Sequence, residues 1–557
     1  MENYQTPGVY IVDNTFSISA VAVETAIPAF IGYTFKAERD GKSLLRIPTK
    51  INSFAEYIES FGAAFKPKFT VTKEVPKSAP AKGQVQTDEP LKEKRIQTVE
   101  LGKQNYLLSF ADDHELYFYN SIRLFYANGG GSCVILSVGT YGDPEGTNGE
   151  TRPKKVLETD FMAAKDQEGP LDLLKKEQES TLIVIPDIIA LGKKAYPVYR
   201  AVLAHCAETR NRFGVFDLRN HRSDEQPAEL AEEFRSDIDI HFLNYGAAYY
   251  PWLNTSIVEE NELTFENFPE NLSTVFEPTV KDIADKYQEQ KMKLQVTIDS
   301  LSRSISSTAN KENVKLEAEY GEKVVALNQA KMVLSDLNKQ YHLKLKSSSP
   351  YYRLLLEQAR TLFNELPPSA AMVGLYTTVD NTRGVWKAPA NFSLNGVNSP
   401  TVIMTSEAQE SFNIDALSGK SINVIRRFQG LGTLVWGART LDGNSQDWKY
   451  IHVRRTLMMI EQSIKAAMLG YIFEANNANT WIMIKSMTDN FLTNLWKQGA
   501  LAGASPEQAF DVQIGLNSTM SPTDILDGRL LITVKVAIVR PAEFIVITFQ
   551  QQQQQQS

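Results

Sequence analysis

The end of the chain has the alternating pattern of a β-strand. Across residues 529–539 every second residue is apolar, and after Pro541 the segment 543–549 is rich in β-branched and aromatic side chains. A strand needs neighbours for its backbone hydrogen bonds, from its own domain or from another subunit. We predict that residues 529–539 stay within their own domain and that the part after Pro541 is donated to a neighbour. Self-assembly is therefore the first hypothesis.

The beginning of the chain has a similar β-rich character. After the turn at Pro7-Gly8, strands are predicted at residues 9–12, 16–23 and 29–33. Because this region lacks an evident local partner, a second terminal arm is predicted. The candidate arm strands consist of Val9, Tyr10, Ile11 and Val12 at the start of the chain and of Phe544, Ile545, Val546, Ile547 and Phe549 at its end.

Between the arms, helical patterns alternate with short apolar runs. Helices are predicted at residues 51–61, 115–127 and 196–212, and buried strands at residues 133–138, 182–186, 213–218 and 238–248. Helices that alternate with strands in this way predict a layered α/β domain.

Two segments interrupt this alternation. Residues 66–103 are polar and rich in Lys, Pro and Gln, which predicts a flexible or irregular loop outside the core. Residues 280–346 have apolar positions at helical spacing on both sides of a polar break, which predicts two long helices in an antiparallel hairpin. Such a hairpin is either a solvated structural insertion or an arm that binds a partner.

The last third of the chain is predicted to begin with irregular structure. The glycine-rich stretch from Pro367 to residue 398 is expected to lack helices and strands. A strand between glycines is predicted within residues 428–440, followed by a long helix at residues 450–475 and a second helix at residues 487–498. A turn then introduces the closing strands described above.

The composition is that of a globular protein with several domains. The chain has 557 residues, of which 43% are hydrophobic and 22% are charged, and its net charge is −8. This acidic balance does not favour nucleic acid as a partner. Cys133 and Cys206 lie in apolar patterns and are expected to be buried thiols of a reducing compartment. The start lacks a signal-peptide pattern and no run reaches the length of a membrane span, so cytoplasmic folding without membrane insertion is expected.

Motifs of known catalytic and cofactor sites are incomplete in this sequence. The Gly-Lys-Ser sequences at residues 41–43 and 419–421 lack the first glycine of a phosphate-binding loop. The glycines at residues 129–131 are better explained as a helix stop, and the acidic cluster at residues 112–115 as the cap of the next helix. No histidine or cysteine pair has zinc-ligand spacing. We therefore predict no catalytic, cofactor or metal site.

Five segments carry motifs that occur together in one protein family. They are TPGVYI at residues 6–11, AIPAFIGYT at residues 26–34, PPSAAMVGLYTTVDNTRGVWKAPAN at residues 367–391, INVIRRFQGLGTLVWGARTL at residues 422–441 and DGRLLITVKVAIVRPAEFIVITF at residues 527–549. Together they resemble contractile tail sheath proteins of phages, R-type bacteriocins and extracellular contractile injection systems. Residues 66–365 carry no matching motif.

The resemblance implies a structural role without catalysis or cofactors. Sheath subunits polymerise as stacked rings into a helical sleeve around an inner tube, in an extended state of high energy. A baseplate signal triggers the contraction that drives the tube through a target envelope. The implied partners are further copies of this chain, an inner tube protein, baseplate and terminal cap proteins, and in some particles a second sheath paralogue. The terminal arms are implied to complete a small sheet in a neighbouring subunit.

The resemblance also implies an α/β (α+β) fold with several domains. The expected parts are an N-terminal arm at residues 1–23, an outer α/β domain at residues 24–400 with insertions at residues 66–103 and 277–347, an inner C-terminal domain at residues 401–540 that faces the tube, and a C-terminal arm with a glutamine-rich tail at residues 541–557.

Specific side chains follow from this organisation. Lys485 and Lys497 of the inner domain are candidates for contact with an acidic tube surface, although ordinary solvated lysines have the same pattern. Arg383, Trp386 and Lys387 are expected to pack between the two domains.

Two other functions stay open. A static tube or shell protein assembles by the same strand exchange without contracting, and an α/β enzyme pairs both terminal strands within its own sheet. Assembly is expected in the cytoplasm, within a phage tail or a phage-tail-like particle that is released by lysis or anchored to a membrane. The motifs do not distinguish a phage from a cellular injection system.

Overall fold

The structure is a computed structural model of the chain. It describes residues 20–74, 95–111, 115–141, 156–163, 167–220, 225–269, 272, 278–308, 314–413, 415 and 418–543. The predicted arm strands at residues 9–12 and 544–549 lie outside these residues. Within them, helices and strands form the predicted mixed α/β architecture, organised around three hydrophobic cores.

An eight-stranded sheet forms the centre of the molecule. From edge to edge, its strands are β16 (Gly432–Val435), β15 (Asn423–Phe428), β11 (Gly246–Tyr250), β10 (Phe213–Asp217), β9 (Leu182–Val184), β1 (Pro28–Thr34), β8 (Cys133–Thr140) and β4 (Thr49–Ile51). The six inner strands are parallel, and both edge strands are antiparallel to their neighbours. Strands β1, β10 and β11 are buried at every position, as their continuous apolar sequences predict.

Helices cover both faces of this sheet. The Phe216 ring packs on Tyr199 of α4 (Ala195–Thr209), with ring centres 4.7 Å apart. Tyr249 occupies the opposite face and shares a hydrogen bond of 2.6 Å with Tyr376 of α9 (Ser369–Arg383). The other helices of this domain are α1 (Phe54–Phe61), α2 (Phe118–Ala127), α3 (Pro170–Lys175), α5 (Pro227–Asp237) and α10 (Ser406–Asn413).

Helix α9 corrects the prediction of irregular structure after Pro367. Its residues from Ser369 to Thr377 are all buried, so it lacks the alternation of apolar and polar faces by which a helix is recognised. Gly374 allows α2 to lie close, because a Cβ atom at this position would be 2.6 Å from the Phe125 carbonyl oxygen. The glycine that indicated a loop instead permits helix packing.

A second hydrophobic core contains part of residues 66–103, which were predicted to form a loop outside the core. Strands β5 (Phe69–Lys73), β6 (Ile96–Leu101) and β7 (Gln104–Phe110) form an antiparallel sheet. Phe69, Val99 and Leu101 are buried in the second core. The polar stretch was therefore only partly a loop, because β5 and β6 each bury one face and expose polar residues on the other.

The predicted helical hairpin is confirmed. Helices α6 (Pro278–Thr308) and α7 (Val314–Ser348) pack together along their lengths, and α8 (Pro350–Phe363) joins their base to the second core. Short strands complete this side: β2 (Glu38–Arg39) pairs with β3 (Lys42–Ser43), and β12 (Leu253–Thr255) lies between β13 (Glu365–Leu366) and β14 (Val397–Pro400).

The C-terminal unit has its own core. It contains α11 (Ile451–Met468), α12 (Ala478–Lys497), α13 (Pro506–Ala509), β17 (Phe510–Ile514), α14 (Pro522–Leu526) and β18 (Ile532–Val536). Strands β15 and β16 belong to the eight-stranded sheet, although the expected boundary at residue 400 assigns them to the C-terminal domain. The sheet therefore ends only after Val435.

Several predicted boundaries shift in the structure. The strands at residues 29–33, 133–138 and 213–218 are confirmed, and the helices predicted at residues 115–127 and 196–212 are present as Phe118–Ala127 and Ala195–Thr209. The helix predicted at residues 51–61 begins at Phe54, because the Ser53 hydroxyl accepts the Glu56 amide proton as an N-cap. The strand predicted at residues 238–248 begins only at Gly246, and the helix predicted at residues 487–498 begins at Ala478.

Candidate assembly surface of the C-terminal unit

Strands β17 and β18 form a two-stranded antiparallel ribbon. Their register runs from Phe510 opposite Val536 to Ile514 opposite Ile532. Ile532, Val534 and Val536 lie half-buried against the C-terminal core, and the residues between them are exposed. The alternation predicted for residues 529–539 is thereby confirmed, as is the assignment of this segment to its own domain.

The outer edge of β18 has no backbone partner among the described residues. The Ala537 amide donates to the Ala509 carbonyl oxygen at 2.8 Å and so extends the ladder beyond β17. In an antiparallel pair, successive residues direct their backbone groups to opposite edges. Since Ala537 points toward β17, the backbone groups of Ile532, Val534 and Val536 point away from it. The backbone amide and carbonyl groups of these three residues are therefore available to pair with an added strand.

The outer edge of β17 is covered instead by α12. The Lys485 ammonium group donates a hydrogen bond to the Val512 carbonyl oxygen, which points away from β18. A lysine that caps a strand edge in this way hinders the addition of another strand. In the described part of the chain, the ribbon therefore has an open edge at β18, whereas its edge at β17 is covered by α12.

The two lysines predicted to contact a tube differ in their surroundings. Lys485 is exposed but is engaged with Val512, whereas Lys497 is exposed in the last turn of α12, where a cation is favoured. They are twelve residues apart, which on an ideal helix is about 120° around the axis and about 18 Å along it. One flat surface does not meet both, so the tube-contact hypothesis needs a concave partner or one of the two lysines alone.

Glu543 holds the root of the C-terminal arm. Its carboxylate accepts hydrogen bonds from Arg439 Nε at 2.9 Å, Arg439 Nη2 at 2.8 Å and the Tyr450 hydroxyl at 2.9 Å. Burial disfavours the charged form, but the hydrogen bonds and charge of Arg439 outweigh it and lower the pKa of Glu543. The chain is therefore held for two residues beyond Pro541, the departure point that the sequence indicated.

The segment that follows the predicted N-terminal arm is bound by both domains, through Ser463 of α11 and Asp380 of α9. The Val23 amide donates to Ser463 Oγ at 3.0 Å, and the Thr25 hydroxyl donates to Asp380 at 2.6 Å. Arg455 donates to the same carboxylate at 2.6 Å and to the Thr25 carbonyl oxygen at 2.9 Å. The described end of the predicted strand at residues 16–23 forms no strand but packs on the C-terminal core.

Of the three residues predicted to pack between the two domains, Trp386 packs on the C-terminal core, whereas Arg383 and Lys387 are exposed. Val385 is buried in the C-terminal core, and Trp386 packs against it directly after α9 leaves the central sheet. This packing explains the glycine before them, because Gly384 has a φ of +87° and a Cβ atom there would be 2.4 Å from the Trp386 ring.

An exposed apolar corner lies between α11 and α12. The helix predicted at residues 450–475 ends at Met468, and its last apolar positions face solvent. Phe473 is fully exposed and adopts a φ of +71°. The corner also includes Leu469, Ile472, Ile482 and Met483, which are all more than 49% exposed. The sequence pattern placed Ile472 and Phe473 in the long helix predicted at residues 450–475, so it gave no sign of this surface.

Two buried carboxylates lie beyond parallel strands, where α/β enzymes often bind ligands. Burial raises the pKa of Asp187 to about 6 and the pKa of Asp217 to about 7. Asp187 accepts the amide protons of Tyr33, Tyr117 and Phe118 at 2.8–3.0 Å. All three hydrogen bonds come from backbone amides, so Asp187 acts as a structural cap.

Asp217 has the same role at a second helix. It accepts hydrogen bonds from the amide of Ser369 at 2.7 Å and from its hydroxyl at 2.5 Å, at the start of α9. Asp187 likewise caps α2, for which the sequence had indicated the cluster at residues 112–115. Of that cluster, residues 112–114 lie outside the described part, and Glu115 accepts from the Tyr117 hydroxyl instead.

The Gly-Lys-Ser sequences and the two cysteines have structural surroundings. Residues 41–43 lie in the β2–β3 hairpin, and Lys420 of the second Gly-Lys-Ser sequence donates to the carbonyl oxygens of Arg235 and Ile238. Cys133 and Cys206 are buried free thiols, as predicted. The described residues bring together no group of three His, Cys, Asp or Glu side chains suited to a metal ion. Within the same residues, none of the helices has the length and apolarity needed to cross a membrane.

A sheet with an available edge beside anchored terminal segments is typical of proteins that polymerise by strand addition. Comparison with known proteins agrees with this class. Residues 444–552 match the phage tail sheath C-terminal domain family. This match begins just before α11 and includes both strands of the ribbon.

Curated relatives of the chain are tail sheath proteins. The chain is 25% identical over 188 residues to the tail sheath protein of Vibrio phage KVP40, and 24% identical over 187 residues to that of Enterobacteria phage T4. Each match covers 33% of this chain but only 26% and 27% of the two relatives. The chain thus matches about a quarter of the length of these curated relatives.

Solved structures extend the likeness to nearly the whole chain. The sheath of the extracellular contractile injection system PVC in its contracted state has a TM-score of 0.55 and 24% identity over 99% of both chains. The helical sheath of the anti-feeding prophage in its contracted state has a TM-score of 0.54, also at 24% identity, over 99% of this chain. The chain therefore has the fold of contractile sheath proteins, and its residues 444–552 match the phage tail sheath C-terminal domain, which confirms the resemblance seen in the sequence motifs.

Proposed function

We propose that the protein is a subunit of a contractile sheath, which polymerises helically around an inner tube and contracts to drive that tube through a target envelope. The observation that carries this proposal is the available β18 edge inside a tail sheath C-terminal domain. The edge lies where a donated strand extends the ribbon and continues the half-buried apolar face of β18. A non-contracting tube or shell remains the alternative to be tested.

The terminal arms are proposed to be the donated strands. Residues 544–549 follow directly after the Glu543 anchor and hold the apolar segment Phe544, Ile545, Val546, Ile547 and Phe549. Residues 9–12, with Val9, Tyr10, Ile11 and Val12, precede the anchored segment at residues 20–25. Main-chain hydrogen bonds hold an added strand while tolerating changes in the angle between subunits, provided that the joint lies outside the anchored roots.

The energy for contraction is proposed to come from a second, more stable packing of subunits. A sheath assembled on a tube occupies the less stable arrangement, and a signal from the baseplate releases it. The step needs neither a nucleotide nor a catalytic residue. This agrees with the backbone capping by Asp187 and Asp217 and with the interior position of Lys420.

The proposed partners are further copies of the chain, an inner tube protein, and baseplate and terminal cap proteins, with a second sheath paralogue in some particles. For the tube we retain Lys485 and Lys497 as candidate contacts. Lys497 is the better candidate, because Lys485 is engaged with the Val512 carbonyl oxygen. The particle is proposed to be a phage tail or a phage-tail-like injection system that assembles in the cytoplasm and is released by lysis or anchored to a membrane.

The test of strand donation is a pair of truncations of the full chain. A chain that ends at Glu543 keeps the anchor but lacks the apolar segment, and we expect a folded monomer that forms no long polymers. A chain that ends at Phe549 lacks only the glutamine-rich tail and is expected to polymerise normally. Negative-stain electron microscopy and thermal unfolding measure the two properties. Full-length sleeves from the chain ending at Glu543 would refute strand donation.

The test of contraction is the number of helical lattices. Particles imaged before and after a trigger, such as mild denaturant, are expected to show two lattices of different length and diameter around an inner tube. A single lattice under all conditions would favour the static tube or shell instead.

A further inference from the structure

The helical hairpin is held together by a regular seam. Positions 284, 287, 294, 298 and 301 of α6 face positions 327, 330, 334, 337 and 341 of α7, and these positions are less exposed than their neighbours. When the half-buried position 291 is included, their spacing of three and four residues is that of an antiparallel coiled coil. Tyr287 and Tyr341 stack in this seam with ring centres 3.9 Å apart. The two tyrosines therefore mark the same height on the hairpin.

Each helix also carries apolar residues on the side away from the seam. On α6, Met292 and Val296 are one turn apart and are 68% and 64% exposed. On α7, Val325 and Met332 are two turns apart and are both 66% exposed. Val296 follows the seam residue Leu294 by two positions, which is about 200° around the helix and therefore faces outward. The outer sides of a solvated hairpin are expected to be polar.

Val296 and Met332 lie at the same height and point in opposite directions. Val296 is nine residues beyond Tyr287, and Met332 is nine residues before Tyr341, so an antiparallel register places them level with each other. A head-to-tail contact between identical subunits joins one side of an element to the opposite side of the next copy. A pair of apolar patches on opposite sides at one height is what such a contact requires.

The charges beside these patches are complementary. Glu289 of α6 and Lys339 of α7 are level by the same register, two residues from Tyr287 and Tyr341 respectively. Both are exposed, and each has a partner on its own helix, Lys293 at 2.6 Å and Asp336 at 3.6 Å. When hairpins lie side by side at the same height, Glu289 of one copy meets Lys339 of the next, and Lys293 of the first lies close to the height of Asp336 of the second.

We propose that the hairpins of neighbouring subunits pack side by side, with Val296 of one copy against Met332 of the next and with Met292 and Val325 on either side of this contact. This inference rests on the proposed function, because it needs a polymer with head-to-tail contacts. It assigns to the hairpin the role of a second lateral contact, separate from the strand addition at β18. The occupant of each apolar side is a second copy of this chain.

The test is a pair of cysteines in the full chain, Val296→Cys and Met332→Cys, in polymers that are then oxidised. Within one hairpin the two Cα atoms are about 14 Å apart across both helices, well beyond the Cα distance of about 7 Å that a disulfide allows. The native cysteines are buried. We expect a ladder of covalent dimers, trimers and longer chains on non-reducing gels from the double variant.

The single variants are the matched controls. Neither V296C nor M332C alone is expected to give cross-linked species, because each side meets the opposite side of its neighbour. Dimers from a single variant would indicate a contact between equal sides and would overturn the inference. Normal polymers of the double variant without a ladder would also overturn it, while leaving the proposed function intact. A wild-type chain that never polymerises would refute both.

Charge reversal gives a second measurement. E289K and K339E are each expected to raise the protein concentration needed for polymerisation by about two- to five-fold, as for loss of an exposed ion pair. The double variant restores the opposite charges in swapped order and is expected to return to the wild-type value. Equal defects in the double variant and the single variants would contradict the proposed pairing.

Discussion

At the scale of single residues, the ion pair of Asp380 and Arg455 joins three parts of the molecule. Arg455 Nη2 lies 2.6 Å from Asp380 Oδ2, and both side chains are 4% exposed. The Arg455 guanidinium also lies 4.7 Å from the Tyr376 ring centre and donates to the Thr25 carbonyl oxygen. Helix α9, helix α11 and the root of the N-terminal arm thus share one charge pair.

Removal of one charge from this pair is expected to destabilise the chain strongly. Asp380→Asn leaves the buried Arg455 cation without its counter-charge, and we expect the free energy of unfolding to fall by about 3–5 kcal/mol. Urea denaturation of the unassembled chain measures this free energy of unfolding. The control is Lys50→Gln at the exposed Lys50–Glu179 pair, where the expected loss is below about 1 kcal/mol. Equal losses in both variants would contradict this account.

At the scale of secondary-structure elements, the two edges of the ribbon have different properties. Lys485 on α12 covers the β17 edge, whereas the outward backbone groups of β18 have no partner in the described part of the chain. Because backbone hydrogen bonds in a strand alternate in direction, neighbouring residues of β18 have unequal roles. Val534 faces the open edge and Thr533 faces Gln513 of β17.

Proline substitutions at these two positions distinguish assembly from folding. Val534→Pro removes an outward amide and places a ring on the open edge, so we expect a folded monomer whose polymer yield falls at least about five-fold. Thr533→Pro removes an amide of the ladder with β17 and is expected to lower the melting temperature of the monomer itself. Sedimentation of polymers and thermal unfolding measure the two effects. A V534P chain that polymerises like the wild type would exclude the β18 edge as the acceptor.

At the scale of the whole molecule, α11 unites the α/β domain with the C-terminal unit. Ile451 and Met458 belong to the central core, whereas Met459, Ile460 and Ile464 belong to the C-terminal core. The helix is buried on both sides along its first three turns. Val23 is bound by Ser463 of α11, and Glu543 is bound by Tyr450, the residue directly before α11. A subunit built in this way is expected to move as one body, with changes of angle confined to contacts between subunits.

The dependence of the C-terminal unit on the α/β domain is testable. A fragment of residues 444–557 contains the matched family domain but exposes the side of α11 that packs on the central core. We expect this fragment to lack a cooperative thermal transition or to aggregate, while the full chain unfolds cooperatively under the same conditions. Circular dichroism and calorimetry provide the measurements. A monomeric fragment with a sharp transition would show that the C-terminal unit folds independently.

Much of the fold was predictable because local patterns dominate it. The buried strands at residues 29–33, 133–138 and 213–218 are continuous apolar runs, and the hairpin at residues 280–346 has strong helical spacing. The segment 529–539 was assigned to its own domain from alternation alone. The family motifs also lay at both ends and in the last third of the chain, and the comparisons confirmed the family resemblance they indicated.

The errors share a cause, which is that burial depends on distant partners. Helix α9 is covered on nearly every side, so its sequence shows no polar face, and its glycine resembles a loop signal. Strands β5 and β6 are polar on one side and acquire a core only beside α8. Phe473 continues a helical pattern that the structure ends five residues earlier, at Met468.

The sequence by itself determined the fold class, the hairpin, the closing strand and the absence of complete catalytic motifs, because each is encoded in residues near one another in the chain. Tertiary structure alone decided which edge of the ribbon is open, since that depends on Lys485 and Val512 meeting across 27 residues. It also placed the arm root at Glu543, through Arg439, which lies 104 residues away. Hydrogen bonds and ion pairs between distant segments produce no periodic pattern in a sequence. These contacts nevertheless set the geometry on which assembly depends.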